Sequence, residues 1–138
     1  MNAGECYLSH MGKYPVISIS LKSMKQPSCA LSFSMLQKIL GQEYSRHWEE
    51  IKQSGELTEA EEEHYLRIRD LRGEEADYAD ALRFLSDCLH RCAGEKVLVL
   101  IDEYDVPLEN AYFHGFYEQM ADMIRSLFES VLKSNENL

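Results

Sequence analysis

The stretch Lys96-Val97-Leu98-Val99-Leu100-Ile101-Asp102-Glu103-Tyr104-Asp105 decides how this chain is to be read. Five consecutive apolar residues, Val97 to Ile101, follow closely on Gly94 and run straight into two acids. A short apolar run rich in β-branched side chains and bounded by a glycine predicts a strand buried on both faces, as inside a parallel sheet. Such a strand expects neighbours on both of its edges. In open α/β sheets, ligands sit beyond the carboxyl ends of the strands. Asp102 and Glu103 therefore stand where chemistry is usually done. The plainer reading is that acids simply mark where a buried strand turns into solvent.

Working outward, a second strand is predicted over residues 16–21, where Val16, Ile17, Ile19 and Leu21 are apolar and Pro15 is tolerable at the entry. A helix follows over 32–53, with Phe33, Leu36, Leu40, Tyr44, Trp48 and Ile51 at three- and four-residue steps. Ser28 or Ser32 caps it, and Gly41 reads as a tolerated weak point within it. Thr58-Glu59-Ala60-Glu61 is a capping box that opens a charged helix running to about Arg72. Its apolar stripe is thin, only Tyr65 and Ile68, which predicts a place on the surface, and Gly73 is expected to stop it. A further helix spans about 77–92, with Tyr78, Leu82, Leu85 and Leu89 on one face, and Gly94 closes it.

Beyond Asp105, Pro107 predicts a turn and residues 112–115 read as irregular. A last helix is expected over 116–133, with Tyr117, Met120, Ile124, Leu127 and Val131 as its stripe. Residues 1–13 show no period and read as a loose N-terminal segment. Strand, helical crossover over 32–92, strand and helix together give an α/β class, with the two strands parallel and the crossover right-handed.

Composition narrows the partners. The chain has 138 residues and a net charge of −10, which argues against general binding to nucleic acid or to anionic membranes. No run reaches the length of a spanning helix, so a cytoplasmic protein is expected. Thirteen of the 24 acids fall within residues 41–80, as a solvated helical insert would show. Cys88 and Cys92 are four apart with His90 between them, but no second ligand pair accompanies them, since His64 and His114 stand alone. Buried thiols on a helix are the reading adopted.

The apolar run followed by Asp-Glu is the Walker B pattern of P-loop ATPases, in which the first acid helps hold Mg²⁺ and the second orients water. The chain resembles the AAA-ATPase-like domain proteins common in bacteria. The matching segments are Tyr14-Pro15-Val16-Ile17, the run from Gly94 through Asp102-Glu103-Tyr104-Asp105-Val106-Pro107-Leu108, and Ser130-Val131-Leu132-Lys133-Ser134-Asn135. The resemblance implies a partial P-loop NTPase-like parallel sheet flanked by helices over residues 14–138. It implies ATP and Mg²⁺ as cofactors of the intact domain, with Asp102 binding the Mg²⁺ and Glu103 as the catalytic acid that activates water. Asp105 matches a further acid of the family run, with turn stabilisation as its simplest role.

One departure is large. The sequence contains no G-x-x-x-x-G-K-[ST], and its one Gly-Lys, Gly12-Lys13, is followed by Tyr14 without a glycine loop before it. Family members also continue past the Lys-Ser-Asn run into a strand with a polar sensor residue. An interior piece of the domain is therefore expected, one that binds nucleotide weakly or not at all. The alternative function is a non-enzymatic α/β module that binds a protein partner through its acidic helices or an unpaired sheet edge; self-association through that edge is also expected. A two-metal nuclease or phosphatase built on Asp102, Glu103 and Asp105 ranks last, because adjacent strand residues point to opposite faces.

Overall fold

The structure, a computed structural model, describes residues 14–133; the N-terminal segment 1–13 and residues 134–138 lie outside it. Strand β1 is Val16–Ser20 and strand β2 is Leu98–Asp102, and they pair in parallel from Val16 opposite Leu98 to Ser20 opposite Asp102. Alternation divides their side chains. Ile17, Ile19 and Leu21 of β1 and Val97 before β2 are buried against the helices. The other face carries Ser18, Leu98 and Leu100, all exposed.

This corrects the expectation that Val97–Ile101 is buried on both faces. Leu98 is 46% exposed and Leu100 59%. The sheet among the described residues has only two strands. Nothing described covers the outer edge of β2 or the even-numbered face.

Helix α1 (Cys29–Ser54) crosses the sheet between the strands. Ser28 is its cap, in extended conformation, with its Oγ accepting from the Leu31 amide at 3.2 Å; Ser32 is buried inside the helix. Helix α2 (Glu59–Arg69) opens on the expected capping box, Thr58 Oγ1 accepting from the Glu61 amide at 3.2 Å and Glu61 Oε1 from the Thr58 amide at 2.9 Å. Its thin stripe is not superficial, however. Tyr65 and Ile68 are fully buried, and the Tyr65 hydroxyl donates to the Tyr44 carbonyl at 2.5 Å. Two large residues suffice to seat a short helix when aromatic rings receive them, and Tyr44 and Trp48 lie 4.5 and 5.2 Å from the Tyr65 ring. The chain leaves α2 through Leu71, whose φ is 62°, rather than at Gly73.

The helix expected over 77–92 is two: α3 (Glu75–Ala79) and α4 (Ala81–Ala93), separated at Asp80, whose φ and ψ are −106° and 8°. Tyr78, Leu82, Leu85 and Leu89 are all buried, as the period required. Cys88 is buried, its thiol pushed up to about 12 by burial. The Cys92 sulfur lies 3.0 Å from Ser54 Oγ.

Past β2 comes a second correction. Residues 105–114, expected as a turn and an irregular stretch, form helix α5 (Asp105–His114). Pro107 is its third residue, where the missing N–H would have had no partner within the helix. Gly115, at φ 84°, ends it. Helix α6 (Tyr117–Lys133) buries Met120, Ile124, Leu127 and Val131, while Tyr117 is 45% exposed and Phe116 takes the buried place before the helix.

Candidate active site at the end of the second strand

Asp102 is the last residue of β2, and its carbonyl accepts from the Leu21 amide at 3.0 Å, so the backbone that carries the carboxylate is held to β1. Glu103 follows at φ 56°, in the left-handed region that a non-glycine residue adopts at a cost of about 1–2 kcal/mol. Its carbonyl accepts from the Val106 amide at 3.2 Å, which turns the chain into α5. Tyr104 packs edge-on against Phe128 of α6, ring centres 5.8 Å apart, and this contact fixes the loop from the other side. Asp105 opens α5, where a carboxylate complements the helix dipole.

The two adjacent acids thus project from a turn pinned at both ends. Both are exposed, and among the described residues neither makes a side-chain hydrogen bond or ion pair. An apolar groove of about 470 Å³ begins beside them, lined by Val99, Ile101, Tyr104, Phe128 and Val131 among others. Asp105 borders a second groove of about 790 Å³ with Tyr112, Phe113 and Tyr117. Asp102 and Glu103 line neither.

Oxygen donors of this kind suit Mg²⁺, which takes one or two protein carboxylates and completes its octahedron with water and phosphate oxygens. The metal side of a nucleotide site therefore fits Asp102. The phosphate side does not. The sequence holds no glycine-rich loop, and the N-terminus of α1, the helix that follows β1, is already capped by its own Ser28. Among the described residues, no group of three or more His, Cys, Asp or Glu is arranged to hold a metal ion. Asp102, Glu103 and Asp105 do not converge as the two-metal reading required.

One cluster escaped the sequence reading. Glu43, Arg46 and His47 sit one turn apart on α1, against the outer edge of β1. The Ser18 amide donates to Glu43 Oε2 at 2.9 Å, and Arg46 Nη2 donates to the Val16 carbonyl at 2.8 Å. Arg46 also binds both Glu43 oxygens, at 3.0 and 2.5 Å, and His47 Nε2 lies 3.1 Å from Glu43 Oε2. Burial pushes the Glu43 carboxyl up, but the hydrogen bonds from His47, Arg46 and the Ser18 amide outweigh it and hold the group at about 2. Burial pulls His47 down, and the Glu43 and Glu50 carboxylates beside it outweigh that and raise it. The spacing of an acid with a base three residues on and a histidine four residues on was visible in the sequence. What it binds, the edge of a strand 25 residues away, was not.

An α/β domain whose parallel strand delivers two free carboxylates at its carboxyl end is what the fold and the site define. A family model described as a predicted AAA-ATPase matches residues 1–138, and the chain belongs to this AAA-ATPase-like family. No curated protein and no solved structure matches it. No helix among the described residues is long and apolar enough to cross a membrane.

Proposed function

We propose that this chain supplies the carboxylate half of an ATPase site, with Asp102 as the Mg²⁺ ligand and Glu103 as the residue that orients and activates the attacking water. The observation that carries this reading is the pinned turn: two free acids at the carboxyl end of a parallel strand, in a chain of a predicted AAA-ATPase family. A bound Mg²⁺·ATP would supply the electrophilic phosphate and the cation that the Asp102 carboxylate would hold. The chain's own contribution is positional. The hydrogen bond from the Leu21 amide to the Asp102 carbonyl sets where the first carboxylate starts. Glu103 begins from a left-handed backbone position just past the strand, and on this reading Asp102 would hold the metal while Glu103 would accept a hydrogen bond from water.

A phosphate cradle must come from residues that this sequence does not contain, since two acids alone have the wrong sign for a triphosphate. The 138 residues are on this reading an interior part of the domain, and by themselves bind Mg²⁺·ATP weakly or not at all. Mn²⁺ as a paramagnetic stand-in for Mg²⁺ tests the metal half directly. In an amide spectrum of the chain, sub-stoichiometric Mn²⁺ should broaden Asp102, Glu103 and Tyr104 first, and Asp102→Asn should abolish that pattern. Broadening centred on the acidic first turn of α2, or unchanged in the variant, would refute the assignment.

A further inference from the structure

We propose that Asn110 is a positioning residue for the turn that carries Asp102 and Glu103, acting through its hydrogen bond to the loop that follows β1. That it fixes the turn is independent of the ATPase reading. That the turn then serves a metal site rests on that reading.

Residues 21–27 leave the carboxyl end of β1 as a loop with hydrogen bonds of its own. The Met24 amide donates to the Leu21 carbonyl at 3.1 Å and the Lys25 amide to the Ser23 carbonyl at 2.9 Å. Gln26 Nε2 donates to the Ser23 carbonyl as well, at 3.2 Å. Met24 is fully buried, which roots the loop in the core. This loop holds the acidic turn from two sides. Ahead of the acids, the Leu21 amide donates to the Asp102 carbonyl at 3.0 Å. Behind them, Asn110 Nδ2 of α5 donates to the Gln26 carbonyl at 2.7 Å, across 84 positions of sequence. Among the described residues this second bond is the one hydrogen bond between the loop and α5.

The turn needs a hold on both flanks. Glu103 sits at φ 56°, and such a backbone persists only while its surroundings impose it. The ladder to β1 fixes the flank before it. On the other flank α5 begins at Asp105 and buries Pro107 and Ala111. Apolar contacts of that kind are non-directional and set the depth of a helix better than its rotation. A hydrogen bond from the half-buried Asn110 is directional and sets the rotation. The Val106 amide, which donates to the Glu103 carbonyl at 3.2 Å, passes that constraint back to the turn. Tyr104 against Phe128 ties the turn to α6 instead. Asparagine is also a poor helix former, so in the middle of α5 its contribution is this tertiary bond.

Asn110→Ala and Asn110→Leu test the proposal, because both remove the donor while raising helix propensity. In amide hydrogen exchange Val106 should exchange about tenfold faster in either variant. Tyr44 and Leu85, in α1 and α4, should keep their native protection. With Mn²⁺ alone as the probe, the concentration that broadens the Asp102 and Glu103 amides should rise about tenfold. Circular dichroism checks folding, and Asn110→Leu, which keeps the side-chain size, carries the test if Asn110→Ala unfolds. Unchanged Val106 exchange would overturn the proposal, as would protection lost evenly through α1 and α4. Faster Val106 exchange with unaltered Mn²⁺ broadening would overturn the role at the metal site. If Mn²⁺ broadens neither acid in the native chain, the ATPase reading fails, and the exchange of Val106 still decides whether Asn110 fixes the turn.

Discussion

Among the carboxylates, Glu43 departs furthest from the chemistry of a free side chain. Its carboxyl sits at about 2 against an ordinary value of 4.5, so the folded state binds its proton less readily than the unfolded chain does. The stability this represents is present above pH 4.5 and is lost as the pH falls toward 2, at most about 3 kcal/mol. His47 has the opposite sign. Its folded value is raised above 6.5, so its contribution is complete below that pH and is lost as the pH rises through the folded value. The clamp on β1 is therefore strongest between about pH 4.5 and 6.5. Denaturant titrations across pH should show a shallow maximum there, and Glu43→Gln should flatten the acid limb. An identical acid limb in the variant would show that the loss arises elsewhere. Glu103 is the second residue out of the ordinary. It takes a left-handed backbone conformation directly after a strand, at φ 56°.

At the scale of elements, Gly41 shows how a sequence rule can point the wrong way. A glycine within a helix costs about 1 kcal/mol relative to alanine, so Gly41→Ala would ordinarily stabilise α1. Here an added Cβ would stand 2.9 Å from Leu71 Cδ2 and 3.0 Å from the Arg69 carbonyl oxygen. The leucine can move, but the carbonyl at the end of α2 cannot easily do so. Overpacking of this kind costs about 1–3 kcal/mol, and we expect Gly41→Ala to lower stability by about 1 kcal/mol in chemical denaturation. An increase would mean that α2 yields at its C-terminus. The local rules that held were those with a complete local cause: the Thr58 box, the Ser28 cap, the left-handed glycines 55 and 94, and the leucine period of α4. Those that failed needed knowledge of a neighbour. Tyr65 and Ile68 looked too few to seat a helix because the rings that receive Tyr65 come from α1 and α4. Pro107 read as a turn because its place in the first turn of α5 depends on where that helix begins.

For the molecule as a whole, the sheet is asymmetric. Among the described residues, side chains of α1 engage the Ser18 amide and the Val16 carbonyl on its β1 edge, while no strand pairs with its β2 edge, which ends in the two acids. The apolar run announced the strand and its parallel partner correctly, and the Asp-Glu pair announced the candidate site. It could not announce that the described neighbours cover one face only, because burial on the second face depends on residues that the run does not contain. The same holds for the site, where the acids are legible and no glycine-rich phosphate-loop motif can be read. The central claim, that Asp102 and Glu103 divide metal binding and water activation between them, is tested most directly in a polypeptide that carries a phosphate-binding loop ahead of Tyr14. There Glu103→Gln should retain nucleotide binding and lower ATP hydrolysis about 10²–10⁴-fold, while Asp102→Asn should weaken the Mg²⁺-dependent part of binding. Hydrolysis at an unchanged rate in both variants would contradict the account.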